Sequence, residues 1–409
     1  MKRIMAHHDT DDAQRIFSGE ALLHAHRFLL RAGLALGNLF AWIFVFEFVY
    51  GISGDSARAL AAVALLYALT QIITLAATPI AAAHLRRGTK HSLMWGVVFC
   101  TAGFVTLGAT LSGALSFPPL IGLAGFAVLL GVYRALYFIP YRLIESATLK
   151  PHFHVRMVLE VLIALMPLFA GLTIAGLVDA PLRLLYGAAA LFVLSLLPAL
   201  FLPSMGERFS WPYTYTIAQL WKRKNHALVL HSMFDGIQGA TLFIVWPLAI
   251  FLILEGSYLT LGLVFTSTLL FVMLLRKMYG WIANRLLLEE SSPVHVAIAV
   301  SGWVLRLAAG SPIGIIVADV YAYAAQPARS TSADPFVFEQ NADRGSFLDE
   351  YTALKEMSLA LGRIMVCALL VFLAFAVPLT LVFAVSLAVS AIVSAINMVL
   401  GKRLTQGTF

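Results

Sequence analysis

Two acidic residues lie inside long apolar stretches of this 409-residue sequence, where their carboxyl groups would be far from water. Asp235 shares its stretch with Gln238, and Asp319 lies near the middle of another stretch. A carboxyl group in such a place can carry a proton or bind a cation, and it can equally form a fixed ion pair with a buried arginine. We expect at least one of the two aspartates to act in moving a proton or a solute.

A cation and two phenols recur at helical spacing in a third apolar stretch. Arg134, Tyr137 and Tyr141 are three and four residues apart, so they share one helix face. Such a face can bind an anionic or sugar-like molecule through charge and hydrogen bonds. The structural alternative is an arginine whose head reaches water or pairs with a neighbouring helix. Asn38 and Tyr323 are further polar candidates in two other apolar stretches.

The remaining charged and histidine residues favour structural interpretations. Glu160 stands one turn after Arg156 and is expected to pair with it. Arg306 lies close to the end of its stretch and is expected to extend its head toward water. Several histidines stand in pairs, without cysteine or carboxylate partners at ligand spacing, so the sequence predicts no metal site and no cofactor. These are His7, His8, His24, His26, His152 and His154.

The composition excludes a soluble domain. The chain is 60% hydrophobic and 12% charged, with a mean hydropathy of +0.87, which is more apolar surface than a soluble chain of this length can bury. An all-α polytopic membrane protein is expected, because only helices or closed barrels satisfy their backbone hydrogen bonds in lipid. The net charge of +7 is scattered among loops, so membrane orientation explains it better than nucleic-acid binding.

Apolar stretches of about 20 residues, the length that spans a bilayer, predict twelve transmembrane helices. They are 28–50, 59–83, 92–115, 118–141, 156–178, 183–203, 227–253, 257–276, 293–309, 311–328, 355–376 and 378–400. The first six form an amino-terminal bundle over 28–203, and the last six form a carboxy-terminal bundle over 227–400. A polar and amphipathic leader at 1–27, an interfacial linker at 204–226 and a tail at 401–409 complete the chain.

Basic residues mark one side of the membrane. With the amino terminus inside, the inner loops hold most loop cations, among them Arg86, Lys150 and Lys222, whereas the outer loops hold Arg58 and Arg183. This bias predicts that both termini are cytoplasmic. The two halves also repeat one pattern, because a shift of 199 residues places Arg86 opposite Arg285.

One loop carries a motif. Gly280-x-Ile282-Ala283-Asn284-Arg285 resembles the Gly-x-Leu-Ala-Asp-Arg loop of the major facilitator superfamily of transporters, which lies between the second and third helix of each half. The corresponding loop of the first half keeps Arg86, Gly88 and Lys90, and it lacks the opening glycine and the acid. The resemblance implies gating roles for Gly280, Asn284 and Arg285 and for Arg86, Gly88 and Lys90.

The resemblance implies a secondary transporter of a small solute, working by alternating access around a cavity lined by the first, fourth, seventh and tenth helices. Proton coupling through Asp235 or Asp319 is the accompanying hypothesis. A multi-pass monomer in the plasma (inner) membrane is expected, with a small-molecule substrate, protons and the lipid bilayer as its partners and no nucleic acid. Because no catalytic constellation appears, the chain is not expected to be an enzyme. The alternatives are a transporter-like sensor or partner protein, and a polytopic enzyme acting on lipid.

Overall fold

Twelve helical segments follow one another in the computed structural model, which describes residues 2–116, 118–148, 153–176, 179–204, 209–285, 293–324 and 350–405. The first half holds α1 (Lys2–Ser53), α2 (Ser56–His84), α3 (Thr89–Leu111), α4 (Pro119–Thr148), α5 (two pieces, Phe153–Ala164 and Met166–Gly176) and α6 (Ala180–Ala199). The second half holds α7 (His226–Ala240, a π-helical turn at Thr241–Val245, and Trp246–Ile253), α8 (Tyr258–Arg285), α9 (Pro293–Ala308), α10 (Pro312–Ala324), α11 (Glu350–Ala374) and α12 (Leu379–Thr405).

Ten of these helices are long and apolar enough to cross a membrane, among the residues that the structure describes, and two shorter apolar helices lie in α9 and α10. The predicted all-α architecture of a polytopic membrane protein is confirmed. Helix ends differ from the predicted limits. The leader and the first span form one continuous helix, and α12 continues to Thr405 in the predicted tail.

The helices form two six-helix bundles that meet along two pairs. Within the first half α1 packs on α6, and α3 packs on both α4 and α6. Within the second half α7 packs on α11 and α12, and α8 packs on α10. Across the boundary α2 lies against α11 and α5 lies against α8. A shift of six helices exchanges these two pairs, so the boundary itself has approximate twofold symmetry.

Small residues permit the closest approaches at this boundary. A Cβ on Gly171 of α5 would come within 2.7 Å of the backbone oxygen of Tyr258, and a Cβ on Gly262 of α8 would come within 2.4 Å of the backbone oxygen of Pro167. Helices can approach this closely only where a side chain is missing.

The linker between the halves packs against one end of both bundles, which we call the linker face; the opposite end is the far face. The linker contains a short helix, Tyr213–Gln219. Trp211 stacks edge-on against Tyr351 of α11 at 5.7 Å, and Ser210 donates a hydrogen bond to Glu350. Phe209 packs with Leu85 and with Leu143 of α4. The linker therefore binds the ends of both halves.

Candidate functional site

The centre of the boundary is an aromatic cluster contributed by four helices. Trp42 of α1 lies edge-on to Tyr67 of α2 at 5.3 Å and contacts Phe126 of α4 at 5.4 Å. Tyr67 in turn contacts Phe243 of α7 across the boundary at 5.7 Å. All four rings are buried. Helices of both halves therefore meet at this cluster, in the middle of the bundle.

Polar atoms around this cluster are buried without a hydrogen-bond partner in the described part of the chain. They are Oδ1 of Asn38, Nε1 of Trp42 and Nε2 of Gln71. Asn38 and Trp42 are one turn apart on α1, and Gln71 is one turn from Tyr67 on α2. A buried polar group without a partner costs about 1–3 kcal/mol. One acceptor and two donors placed in this way are suited to a polar solute.

A buried cation lies beside them. Arg363 of α11 donates a hydrogen bond through Nη1 to Oε1 of Gln71 at 3.2 Å, and the guanidinium is 1% exposed. Arg363 was not predicted to be a site residue from the sequence. Only the packing of α2 on α11 brings it opposite Gln71, in the middle of both helices.

Asp319 forms a buried ion pair and does not face an open space. Its Oδ1 accepts a hydrogen bond from Nε of Arg306 at 2.7 Å, and both of its oxygens lie 3.0 Å from Nε1 of Trp246. The guanidinium lies 5.0 Å from the ring of Tyr323 and 4.9 Å from that of Trp303. Arg306 is 2% exposed, so the expectation that its head reaches water is wrong.

Asp235 points toward a neighbouring helix of its own half. Its Oδ1 accepts a hydrogen bond from Nδ2 of Asn397 on α12 at 2.6 Å, and Nε2 of His231 lies 3.8 Å from its Oδ2. The side chain is 18% exposed, so it is less enclosed than Asp319. Gln238 donates to the backbone oxygen of Phe234 on the same helix at 3.3 Å. The two aspartates therefore lie in different environments.

Arg134, Tyr137 and Tyr141 are all on the inward side of α4, as their spacing predicts, and Arg134 and Tyr137 are fully buried. Tyr137 stacks on Tyr141 at 5.4 Å, and its hydroxyl lies 3.2 Å from Nε2 of His26. His26 also lies 2.8 Å from the backbone oxygen of Ser195 on α6. This part of α4 thus contacts α1, where the sequence offered only an interfacial leader.

A polar face of α1 meets α5 near the linker face. Glu20, His24, Arg27 and Arg31 lie at spacings of four, three and four residues, so they share one side of the helix. Arg31 pairs with Glu160 of α5, and Nη2 of Arg27 lies 3.9 Å from the same carboxylate oxygen. Sequence reasoning assigned Glu160 to Arg156, whose side chain lies outside the described residues. The three- and four-residue spacing was a readable signal that we did not use.

Aromatic rings close the far face between the halves. Tyr258 at the start of α8 contacts Phe251 of α7 at 4.9 Å, and it contacts Phe40 and Phe44 of α1 at 6.1 and 5.6 Å. Its hydroxyl also donates a hydrogen bond to Glu47 of α1. Residues 236–251 of α7 are all buried. The structure is therefore closed on the far face.

The predicted gating loop of the first half contacts the linker side of the molecule. Arg86 donates to the backbone oxygen of Phe209 at 3.4 Å, and Lys90 donates to that of Leu200 at 2.9 Å. Gly88 has a φ of +109°, and a Cβ there would collide with the hydroxyl of Ser204. In the second half, the helix α8 ends at Arg285. The side chains of Asn284 and Arg285, and the surroundings of Gly280, lie outside the described residues.

Solved transporter structures match the chain over nearly its whole length. A POT family transporter in complex with 5-aminolevulinic acid superimposes with a TM-score of 0.62 at 14% identity, over 95% of this chain and 96% of its own. A D-xylose-proton symporter gives a TM-score of 0.59 at 14% identity, over 93% and 97%. The xylose transporter XylE from E. coli, in its inward-open conformation, gives 0.60 at 13% identity, over 93% and 95%.

This chain has the major facilitator fold. No protein-family model matches the sequence, and no curated protein matches it either. Together with the apolar helices, the major facilitator fold makes the chain a multi-pass membrane protein. Its sequence is 13–14% identical to those of the three structures, so the fold alone does not assign roles to its side chains.

Proposed function

We propose that the chain is a secondary transporter of a small polar solute, working as a monomer by alternating access in the plasma (inner) membrane. The linker face is the cytoplasmic side in this proposal, with both termini there, because the loop cations concentrate on it. The neighbours with this fold are described as peptide transporters and sugar transporters, which supports a transporter over an enzyme.

The observation that carries the proposal is the buried polar group at the boundary between the halves. Asn38, Trp42, Gln71 and Arg363 offer hydrogen-bonding atoms within an apolar, aromatic centre. Binding sites for small molecules combine an apolar lining with a few placed polar groups. A solute bound here would contact both halves, so its binding could change their relative position. Tyr137, Tyr141 and Arg134 would extend the site toward the linker face.

Proton coupling belongs to Asp235 rather than to Asp319 in this proposal. Asp319 is held by one cation and one indole donor, and loss of its charge would leave Arg306 buried without its anion. Asp235 contacts the neutral amide of Asn397 and the ring of His231, and it is partly exposed. A change at Asp235 would therefore break no buried pair with an arginine.

Purified protein in vesicles tests the proposal. A thermal-shift panel of sugars, amino acids, drugs and organic anions first identifies a stabilising solute, and counterflow of that solute with a radiolabel then measures transport. Gln71→Leu is expected to abolish counterflow, while Gln238→Leu, which changes a glutamine bonded within its own helix, is expected to retain it. Lipid turnover without counterflow would indicate an enzyme, and solute binding without counterflow would indicate a sensor.

A further inference from the structure

We propose that Arg27 and Arg31 of α1 form a binding site for the carboxylate or phosphate group of a solute, and that Glu160 of α5 occupies this site when the solute is absent. The inference rests on the proposed transport function and specifies an anionic substrate class. It is carried by a small cavity between α1 and α5, whose lining residues are not those of the aromatic centre. His24, Arg27, Arg31 and Glu160 line the cavity together with three apolar residues, Phe28, Leu159 and Ile163.

The contacts show what chemistry the two arginines accept. One oxygen of Glu160 pairs with Nη1 of Arg31 and lies 3.9 Å from Nη2 of Arg27, so a single carboxylate lies between two guanidinium groups. Paired guanidinium groups are well suited to oxyanions, because their N–H groups match carboxylate and phosphate oxygens. Among the described side chains that line the cavity, the two cations face one anion.

The depth of the site separates it from the lipid headgroups. Gly19 of α1 lies beside Pro203, at the linker face. Arg31 follows Gly19 by twelve residues, which is roughly 18 Å along the helix at the rise of an α-helix. Arg31 is 5% exposed. Charges at this depth are costly unless they are paired, and they mark solute or ion pathways in membrane proteins.

The cavity has room for about one water molecule, so a solute oxyanion enters only when the Glu160 carboxylate leaves. A proton from the aqueous side can drive this exchange. Proton addition to Glu160 makes a neutral carboxyl group and removes its attraction to both arginines, and the solute anion takes its place. One proton and one monoanion bind together, and the charge of the site is unchanged.

The groups around Glu160 are consistent with this exchange. From α1 it meets His24, Arg27 and Arg31. From α8, which also packs on α5, residues 259–275 contribute no ionisable side chain. The side chains of 152–156 and of Arg276 and Lys277 lie outside the described residues. On α1 itself, Glu20 lies one turn before His24 on the same side of the helix, with 3.7 Å between its Oε1 and Nε2 of His24. Glu160 is the carboxylate that pairs with Arg31 and lies beside Arg27.

Equilibrium binding of radiolabelled propanoate to the full chain in phosphatidylcholine nanodiscs tests the site. Measurements at about pH 6 and about pH 8 keep propanoate ionised at both values. The neutral propionamide is the ligand control. Arg58→Gln is the protein control, since it removes a charge near the far face. Thermal unfolding of every variant shows that it is folded.

The wild-type protein is expected to bind propanoate about tenfold more tightly at the lower pH, a difference of about 1.4 kcal/mol, and not to bind propionamide. Glu160→Gln should bind at the higher pH as the wild type does at the lower pH, and Arg31→Gln and Arg27→Gln should lose binding. Unchanged binding in the folded arginine variants, or no binding to the wild type, would overturn the proposal. Stabilisation by phosphatidylglycerol alone, dependent on Arg27 and Arg31, would make the occupant a lipid and would also overturn it.

Because this assay measures binding without transport, its outcome is independent of the counterflow experiment. Propanoate binding without counterflow of any solute would leave the oxyanion site in place and remove the transport function. Counterflow of a neutral solute without propanoate binding would leave the transport function in place and remove the oxyanion site.

Discussion

Arg363 of α11 and Gln71 of α2 are joined by a hydrogen bond across the boundary between the two halves, with 3.2 Å between Nη1 and Oε1. Both side chains are buried, at 1% and 0% exposure. The bond lies near the middle of the two helices, where water cannot replace it. Any movement of the two halves must therefore either break this hydrogen bond or move the two residues together.

Replacement of Gln71 by leucine is expected to destabilise the protein by about 1.5–3 kcal/mol, the typical contribution of a hydrogen bond to a charged group. Equilibrium unfolding in mixed detergent micelles measures this loss. Gln238→Leu is the control, and it should cost less, about 1 kcal/mol or below, because its amide bonds only within α7. Equal losses of stability in the two variants would show that the bond between Gln71 and Arg363 stabilises the protein no more than the bond of Gln238 within α7.

The ion pair of Asp319 and Arg306 is expected to show strong energetic coupling. Asp319→Asn and Arg306→Leu should each cost about 3–5 kcal/mol, since each leaves a buried group without its partner. The double variant should cost less than the sum of the two, because no unpaired charge remains. A double-mutant cycle by the same unfolding titration gives the coupling energy. Additive losses would contradict the paired geometry.

Asp235→Asn is expected to fold normally and to lose pH-driven uptake. The replacing amide keeps the size of the side chain and an oxygen that can accept the hydrogen bond from Asn397. The coupling proton assigned to Asp235 is lost, so a pH gradient no longer drives uptake, although anion binding beside Glu160 still depends on pH. Asp55→Asn, a change at the exposed amino-terminal cap of α2, is the matched control. Normal pH-driven uptake in folded Asp235→Asn vesicles would rule out coupling through this residue.

Gly88→Ala is expected to weaken the turn between α2 and α3. The φ of +109° is costly for any residue with a Cβ, by about 1–3 kcal/mol, and the added atom would also meet Ser204. Trypsin cleavage at Arg86 and Arg87 should therefore become faster. Gly176→Ala, where a Cβ meets no atom within 4 Å, should leave the cleavage rate unchanged. An unaltered cleavage rate in Gly88→Ala would contradict this expectation, because it would show that the turn accommodates the added Cβ.

The number and order of the membrane helices could be predicted because each turn has a local signal. Segments of about 20 apolar residues end at charged or glycine-containing turns such as Gly88 and Gly310. The start of α1 was harder to predict. Residues 2–18 contain no proline or glycine, and the first glycine of the chain is Gly19. The helix therefore continues through this polar stretch to Lys2.

Contacts between residues that are close in the sequence could be predicted more readily than contacts between distant residues. Asp319 and Arg306 lie on the two arms of a hairpin that turns near Gly310, so their pairing was within reach of sequence reasoning. Gln71 and Arg363 are 292 residues apart, and only the packing of the two halves brings them together. Asp235 was predicted to act in moving a proton or a solute, and the sequence did not show that its side chain bonds to Asn397, which it does because α7 packs on α12.

Alternating access is tested most directly by electron spin resonance distances between the halves in nanodiscs, with Cys100 and Cys367 replaced by alanine. One spin-label pair, Ser53→Cys and Ser257→Cys, spans the far face, and another, Arg87→Cys and His226→Cys, spans the linker face. We expect two distance populations at each face. Tyr258→Phe removes the bond to Glu47. It should increase the fraction of molecules that have the longer far-face distance and, together with it, the fraction that have the shorter linker-face distance. A single distance at each face, unchanged by Tyr258→Phe and by pH, would contradict the transporter account.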